Sequence, residues 1–251
     1  MRPEHFFSTF SPNIPDEGSI LCIGLSLEEP QEWIEACRTL ITPAEWEETQ
    51  RYAHAADAAR HAAGRAVVRT VMRAEGCPDA MQDFHLSRYG KPHCALSSLH
   101  FSLSHSGPQI WAALCCDVPA GIDTEAAGKR HSILRIAEKL HPLEREALHR
   151  LPPEEQQAAF LRCWTRKEAV MKALGTGLSI GLDSFCVSTD AAESGFLLSL
   201  PHGIPADADI SPTALPAPDG WTCRTFRTAD DQYVSVSAPK AGMRTEVQFL
   251  R

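Results

Sequence analysis

The chain has 251 residues, 43% of them hydrophobic and 22% charged, and a formal net charge of −8. That is ordinary globular composition, long enough to bury a core without disulfide or metal staples. The acidic balance argues against a general nucleic-acid or membrane-surface binder, which needs a basic excess.

No run approaches a membrane span, and the first ten residues hold Pro3, Glu4 and His5 rather than the apolar core of a signal peptide. A cytoplasmic protein is expected. The nine cysteines include no Cys-x-x-Cys pair, and their number is odd. Neither a zinc site nor a complete disulfide framework is indicated; reduced, buried thiols are expected.

In chain order, the first long helix opens at Thr42-Pro43, an N-cap followed by Pro at the first helical position. The pattern predicts a break near His54, resumption at Asp57, and a run over residues 58–74 that Gly76 and Pro78 stop. Arg65, Arg69 and Arg73 recur every four residues, with Arg60 one turn earlier. A solvated basic stripe and a pocket lining both remain open for them. A strand at 84–87 leads to Tyr89-Gly90-Lys91-Pro92, a turn that presents one lysine.

Strands at 99–103 and 110–116 flank Ser106-Gly107-Pro108 as a hairpin connection. His105, just before it, suits either a structural or a functional role. In Gly121-Ile122-Asp123-Thr124-Glu125 the two acids are two apart on a strand and share a face. Short helices are expected at 133–140 and 142–148. The second long helix follows Pro152-Pro153 and runs to Leu174, ending at Gly175. On it Trp164, Glu168 and Lys172 share one face, either as a simple ion pair beside a core tryptophan or as a functional set. Strands follow at 185–188, 196–200, 221–226 and 233–237, with a proline-rich irregular excursion over 201–220.

Arg65-Ala66-Val67-Val68-Arg69 echoes Glu168-Ala169-Val170-Met171-Lys172, each in a helix closed by Gly and followed by a strand. This suggests two similar α/β lobes with a boundary near Pro119.

Should Asp123, Glu125 and Glu168 meet, repulsion decides what accompanies them. Two carboxylates about 5 Å apart repel by about 3 kcal/mol at an effective dielectric near 20. Three must protonate or recruit a cation. An all-oxygen set suits Mg²⁺, which keeps waters and takes substrate phosphates as further ligands.

Four segments together resemble the Sfp-type 4′-phosphopantetheinyl transferases: Tyr89-Gly90-Lys91-Pro92, residues 101–107, Gly121 through Glu125, and residues 164–178 continuing into Leu182-Asp183-Ser184-Phe185. Their order and spacing agree with the family over about residues 57–188. The resemblance implies an α+β fold of two similar α/β lobes related by pseudo-twofold symmetry, each a small antiparallel sheet with a long helix. The lobes would be residues 1–119 and 120–251, with the active site in the cleft between them, in a monomer.

The implied reaction moves the phosphopantetheine arm of coenzyme A to a serine hydroxyl of an apo acyl or peptidyl carrier protein. It releases adenosine 3′,5′-bisphosphate and depends on Mg²⁺, for which Mn²⁺ can substitute. Asp123, Glu125 and Glu168 look like the metal ligands, Glu168 also like the base or water-positioner for the carrier serine. Lys172 looks like the residue that stabilises the phosphate under attack and binds the coenzyme. Arg60 and His105 match positions that grip the 3′-phosphate, and Lys91 and Ser104 residues near the adenine. Two departures stand out. Glu45 and Glu48 occupy positions where the family has lysines, so the grip falls on Arg60, His105 and Arg51. Thr124 adds no third charge between the acids, which leaves water to complete the metal shell. A Mg²⁺-dependent nucleotide phosphohydrolase and a degenerate carrier-binding module are the rival expectations.

Overall fold

The computed structural model describes residues 7, 10, 15–128, 136–192 and 194–250. It is a mixed α+β chain that divides into two compact units: residues 1–85, 92–117 and 244–251 in one, residues 86–91 and 118–243 in the other.

In the first unit, β1 (Ser19–Ser26) is the continuous apolar run SILCIGL, which sequence periodicity alone left unassigned. It is buried because it is central. Antiparallel β5 (Gln109–Cys115) lies on one side and parallel β9 (Arg244–Leu250) on the other. β4 (His100–Ser106) completes the order β4-β5-β1-β9 through the expected hairpin at Gly107. Helices α1 (Pro30–Cys37) and α2 (Pro43–Gln50) accompany α3 (Ala55–Ala74), whose alanine- and valine-rich face joins the core. α1 was not expected. The predicted break at His54 is real: His54 is extended and stands at the N-cap position of α3 without a side-chain capping bond. The α2 cap is a full capping box, with Thr42 and Glu45 each bonded to the other's backbone N–H.

Strands β2 (His85–Leu86) and β3 (Pro92–His93) form a short separate ribbon, its turn closed by Ser87 N–H donating to Lys91 O at 2.8 Å only through positive φ at Gly90, here 81°.

The second unit is an antiparallel sheet in the order β6-β8-β7: β6 (Gly121–Ala126), β7 (Thr222–Arg227) and β8 (Gln232–Ala238). Helix α5 (Pro153–Leu174) packs on it, and α4 (Pro142–His149) packs on α5. Gly175 ends α5 in the left-handed conformation, φ 70°. The strands expected at 185–188 and 196–200 do not form as named strands; an antiparallel bridge, Val187 to Leu197, and backbone bonds such as Ser188 N–H to Phe196 O at 2.8 Å and Leu198 N–H to Cys186 O at 2.9 Å link the two segments. Side chains take two of the remaining backbone donors. Cys186 N–H bonds Ser199 Oγ at 2.8 Å and Val187 N–H bonds Glu144 Oε1 at 2.7 Å. Part of the helix expected at 133–140 lies outside the described residues. No described helix is long and apolar enough to cross a membrane.

Candidate functional site

In the second unit β6 presents Gly121, Asp123 and Glu125 to α5, while Thr124 faces the other way and donates to Gln232 Oε1 at 2.9 Å. Gly121 sets the spacing. A Cβ there would collide with Ala169 O and Ala173 N, so strand and helix meet backbone to backbone where α5 carries its charged pair.

Two buried cations fix the rotation of α5. Arg166 reaches Thr225 Oγ1 at 3.0 Å, Ser188 O at 2.7 Å and Ala192 O at 2.6 Å. Lys167 donates to Phe185 O at 2.6 Å and pairs with Glu144 Oε1 at 2.8 Å, both residues fully buried. Burial pulls Arg166 down to about 10 and raises Glu144 despite the lysine beside it. Sequence reasoning passed over both cations. The signal was two basic residues inside an otherwise core-facing stretch.

With that face fixed, Trp164, Glu168 and Lys172 form a half-buried stripe. Lys172 Nζ sits 2.7 Å from Asp123 Oδ1. The Glu168 carboxyl is pushed up to about 7, first by burial and then by Asp123, with Glu125 adding to the effect and Lys172 opposing it. Asp123, Glu125, Glu168 and Lys172 therefore act on one another. Among the described residues, no three His, Cys, Asp or Glu side chains are closed tightly enough to hold an ion as they stand; the Lys172 ammonium takes Asp123 instead. The donor set nonetheless fits a hard divalent cation. It is carboxylate oxygen only, and its central acid resists ionising without more positive charge.

Lys91 lies at the C-terminal end of α5, 3.3 Å from Ala173 O and 3.4 Å from Asp209 Oδ2. Burial lowers its pKa. The excursion over 201–220 supplies Asp209, whose N–H bonds Leu174 O at 3.1 Å, and Asp207, which accepts from Arg88 at 2.7 Å and Tyr89 at 3.0 Å. The proline-rich segment thus holds the 87–91 turn.

The other predicted residues fall in the first unit. Arg60, Ser104 and His105 line one cavity of about 140 Å³, together with Tyr52, His61 and Arg65. Arg60 also donates to Gly107 O at 2.8 Å and pairs with Asp57, tying the hairpin tip to α3. Arg51 is exposed and 3.9 Å from Glu47, apart from that lining.

The chain is similar to known proteins. Residues 119–224, which carry Asp123, Glu125, Glu168 and Lys172, match the model of the 4′-phosphopantetheinyl transferase superfamily. A Bacillus subtilis 4′-phosphopantetheinyl transferase is 37% identical over 144 residues, 56% of this chain and 63% of that protein. The 4′-phosphopantetheinyl transferase Sfp of Bacillus subtilis (strain 168) is 34% identical over 169 residues, 65% of this chain and 74% of that protein. The chain belongs to the Sfp-type 4′-phosphopantetheinyl transferase family. HetI of Nostoc, also a 4′-phosphopantetheinyl transferase, is 29% identical over 161 residues, 62% of this chain and 68% of that protein. Membership makes the acid–lysine set of the second unit the first place to look for this family's chemistry.

Proposed function

We propose that this chain transfers 4′-phosphopantetheine from coenzyme A to a serine hydroxyl of an apo acyl or peptidyl carrier protein, releasing adenosine 3′,5′-bisphosphate. The observation that carries the reading is the close packing of β6 on α5, which sets Asp123 and Glu125 against Glu168 and puts Lys172 Nζ 2.7 Å from Asp123 Oδ1. Glu168, half-buried and facing both β6 acids, is the carboxylate placed to accept the serine proton. Lys172 Nζ, its distance from Asp123 already that of a charge-assisted hydrogen bond, supplies a donor for charge building on the transferred phosphate. Mg²⁺, or Mn²⁺ in its place, held by Asp123, Glu125 and Glu168, would neutralise the pyrophosphate and hold it in line. Thr124, turned to Gln232, leaves the remaining positions to water.

Arg60 and His105 would take the 3′-phosphate end of the coenzyme in the cavity they line, and Lys91 and Ser104 would serve near the adenine. Glu45 does not oppose that grip, because its carboxylate is turned into the helix packing against Arg69. The two units, each a long helix on a sheet of mainly antiparallel strands, support a reading as duplicated lobes. A single polypeptide that carries both residue groups also supports action as a monomer, and the cytoplasm is the proposed location.

The test is the mass of a panel of apo carriers after incubation with the protein, coenzyme A and Mg²⁺. A phosphopantetheine adduct on one or more carriers is expected. Release of the bisphosphate at the same rate without any carrier would replace the transferase with a phosphohydrolase. Carrier binding with neither product would leave only a docking module.

A further inference from the structure

Two arginines that line the 140 Å³ cavity of the first unit each keep a guanidinium N–H with nothing to bond. Arg60 Nε and Arg65 Nη1 are buried and have no hydrogen-bond partner. Leaving a charged donor buried and unsatisfied is costly, and such groups call for a missing ligand, ion or water. Both arginines line the same cavity of about 140 Å³, with Ser104 and His105 opposite them on β4.

The arginine stripe that the sequence left undecided is divided by the structure. Arg69 is fully buried and takes both oxygens of Glu45, at 2.6 and 2.8 Å, while also donating to Ala80 O and Gln82 O. Arg73 is partly exposed and reaches Leu40 O at 3.2 Å. Arg65 has neither fate. Its Nε lies 3.7 Å from Glu45 Oε1 and its guanidinium over the Phe84 ring at 5.3 Å, so it is held in place without being neutralised by a close pair. Arg69 already answers the Glu45 charge. Glu45 and Glu48 both act on Arg65, yet its Nη1 keeps an unmatched donor.

We infer that Arg65 is a specificity-determining residue of this cavity, joining Arg60 in binding a phosphomonoester, with Glu45 as the positioning residue that aims it. The inference rests on the transferase reading only for the identity of the nucleotide, whose 3′-phosphate is the phosphomonoester. The chain thereby dispenses with lysines at positions 45 and 48 and draws the same charge from the next helix.

The experiment is calorimetric titration of the full chain with adenosine 3′,5′-bisphosphate and with adenosine 5′-monophosphate, without carrier or metal. Wild type should prefer the bisphosphate. Arg65→Gln should weaken the bisphosphate by about 10- to 100-fold, the size of a lost charge-assisted donor, and leave the monophosphate nearly unchanged. Thermal melting checks that the variant folds. Should it not fold, Arg65→Lys carries the test: it keeps a charge beside Glu45 but loses the fork, and the preference must fall several-fold. An unchanged preference in the folded variant, or equal loss for both nucleotides, would overturn the inference. An Arg65-dependent preference in a protein inert toward every apo carrier would sink the transferase reading and leave this one standing.

Discussion

Lys172 Nζ lies 2.7 Å from Asp123 Oδ1, so the same aspartate that would bind a metal already holds a cation from the facing helix. The pair is mostly buried, which makes removal of one partner more disruptive than at a surface. Asp123→Ala should leave the fold intact and lower carrier modification by at least about 10²-fold, the scale of losing a positioned electrostatic group. Wild-type turnover from a folded Asp123→Ala protein would rule out the acid set as the catalytic centre.

Lys172 makes a different prediction because it sits between recognition and chemistry. If it meets charge that develops on the transferred phosphate, its loss acts on the transition state more than on the bound coenzyme. Lys172→Ala should therefore lower kcat by more than it raises KM for coenzyme A. The opposite split would move the lysine to simple coenzyme recognition.

The acid set could be read before any coordinates because its residue types and spacings are local: Asp123 and Glu125 alternate on a strand, and Glu168 and Lys172 are one helical turn apart. That the strand lies on that helix depends on Gly121, whose missing side chain admits backbone contact, and nothing local announces a packing partner. β1 went unassigned because a strand buried on both faces has no alternation to read. The opposite error came at 185–188 and 196–200, where the apolar, β-prone residues pair only briefly because Glu144 and Ser199 take the N–H groups of Val187 and Cys186. Arg69 and Lys167 were hidden for a common reason. A buried cation looks like a surface one until its carboxylate partner, here Glu45 or Glu144, is brought up from a distant segment.

Glu168 makes stability depend on pH in a specific window. Its pKa is about 7 when folded against 4.5 for the free group, so the folded state binds the proton more tightly. The unfolded chain holds fewer protons between these values, and stability must fall as pH rises from about 4.5 through 7. In metal-free buffer Glu168→Gln should stabilise the protein by about 3 kcal/mol at pH 8 and by almost nothing at pH 4. Urea midpoints at the two pH values measure this. A difference that does not change with pH would mean that Glu168 ionises normally.

Gly121 tests the packing that brings the acids to the lysine. An alanine methyl would enter the space of Ala169 O and Ala173 N, backbone atoms that cannot rotate aside. Gly121→Ala should cost about 2–3 kcal/mol, at the upper end of overpacking, and should depress turnover in whatever fraction still folds. Stability and activity both equal to wild type would show that β6 can draw back from α5 without consequence.

Lys167 and Glu144 carry the last prediction. Both are fully buried, and Lys167 has Phe185 O at 2.6 Å and the Phe185 ring at 4.0 Å around its ammonium. Glu144 is also held by N–H groups of His141, at 3.0 Å, and Val187, at 2.7 Å. Removing the lysine alone leaves a buried carboxylate short of its cation, so Lys167→Met should cost about 3–5 kcal/mol in urea unfolding. The acid's raised pKa gives it a partial escape by protonation, and the loss should shrink at low pH. Pairing the change with Glu144→Gln keeps an oxygen for both backbone donors while discarding the stranded charge. The double variant should recover much of the lost stability. If it is no more stable than Lys167→Met alone, the cost lies in the lost packing of the lysine stem against Phe185 rather than in charge.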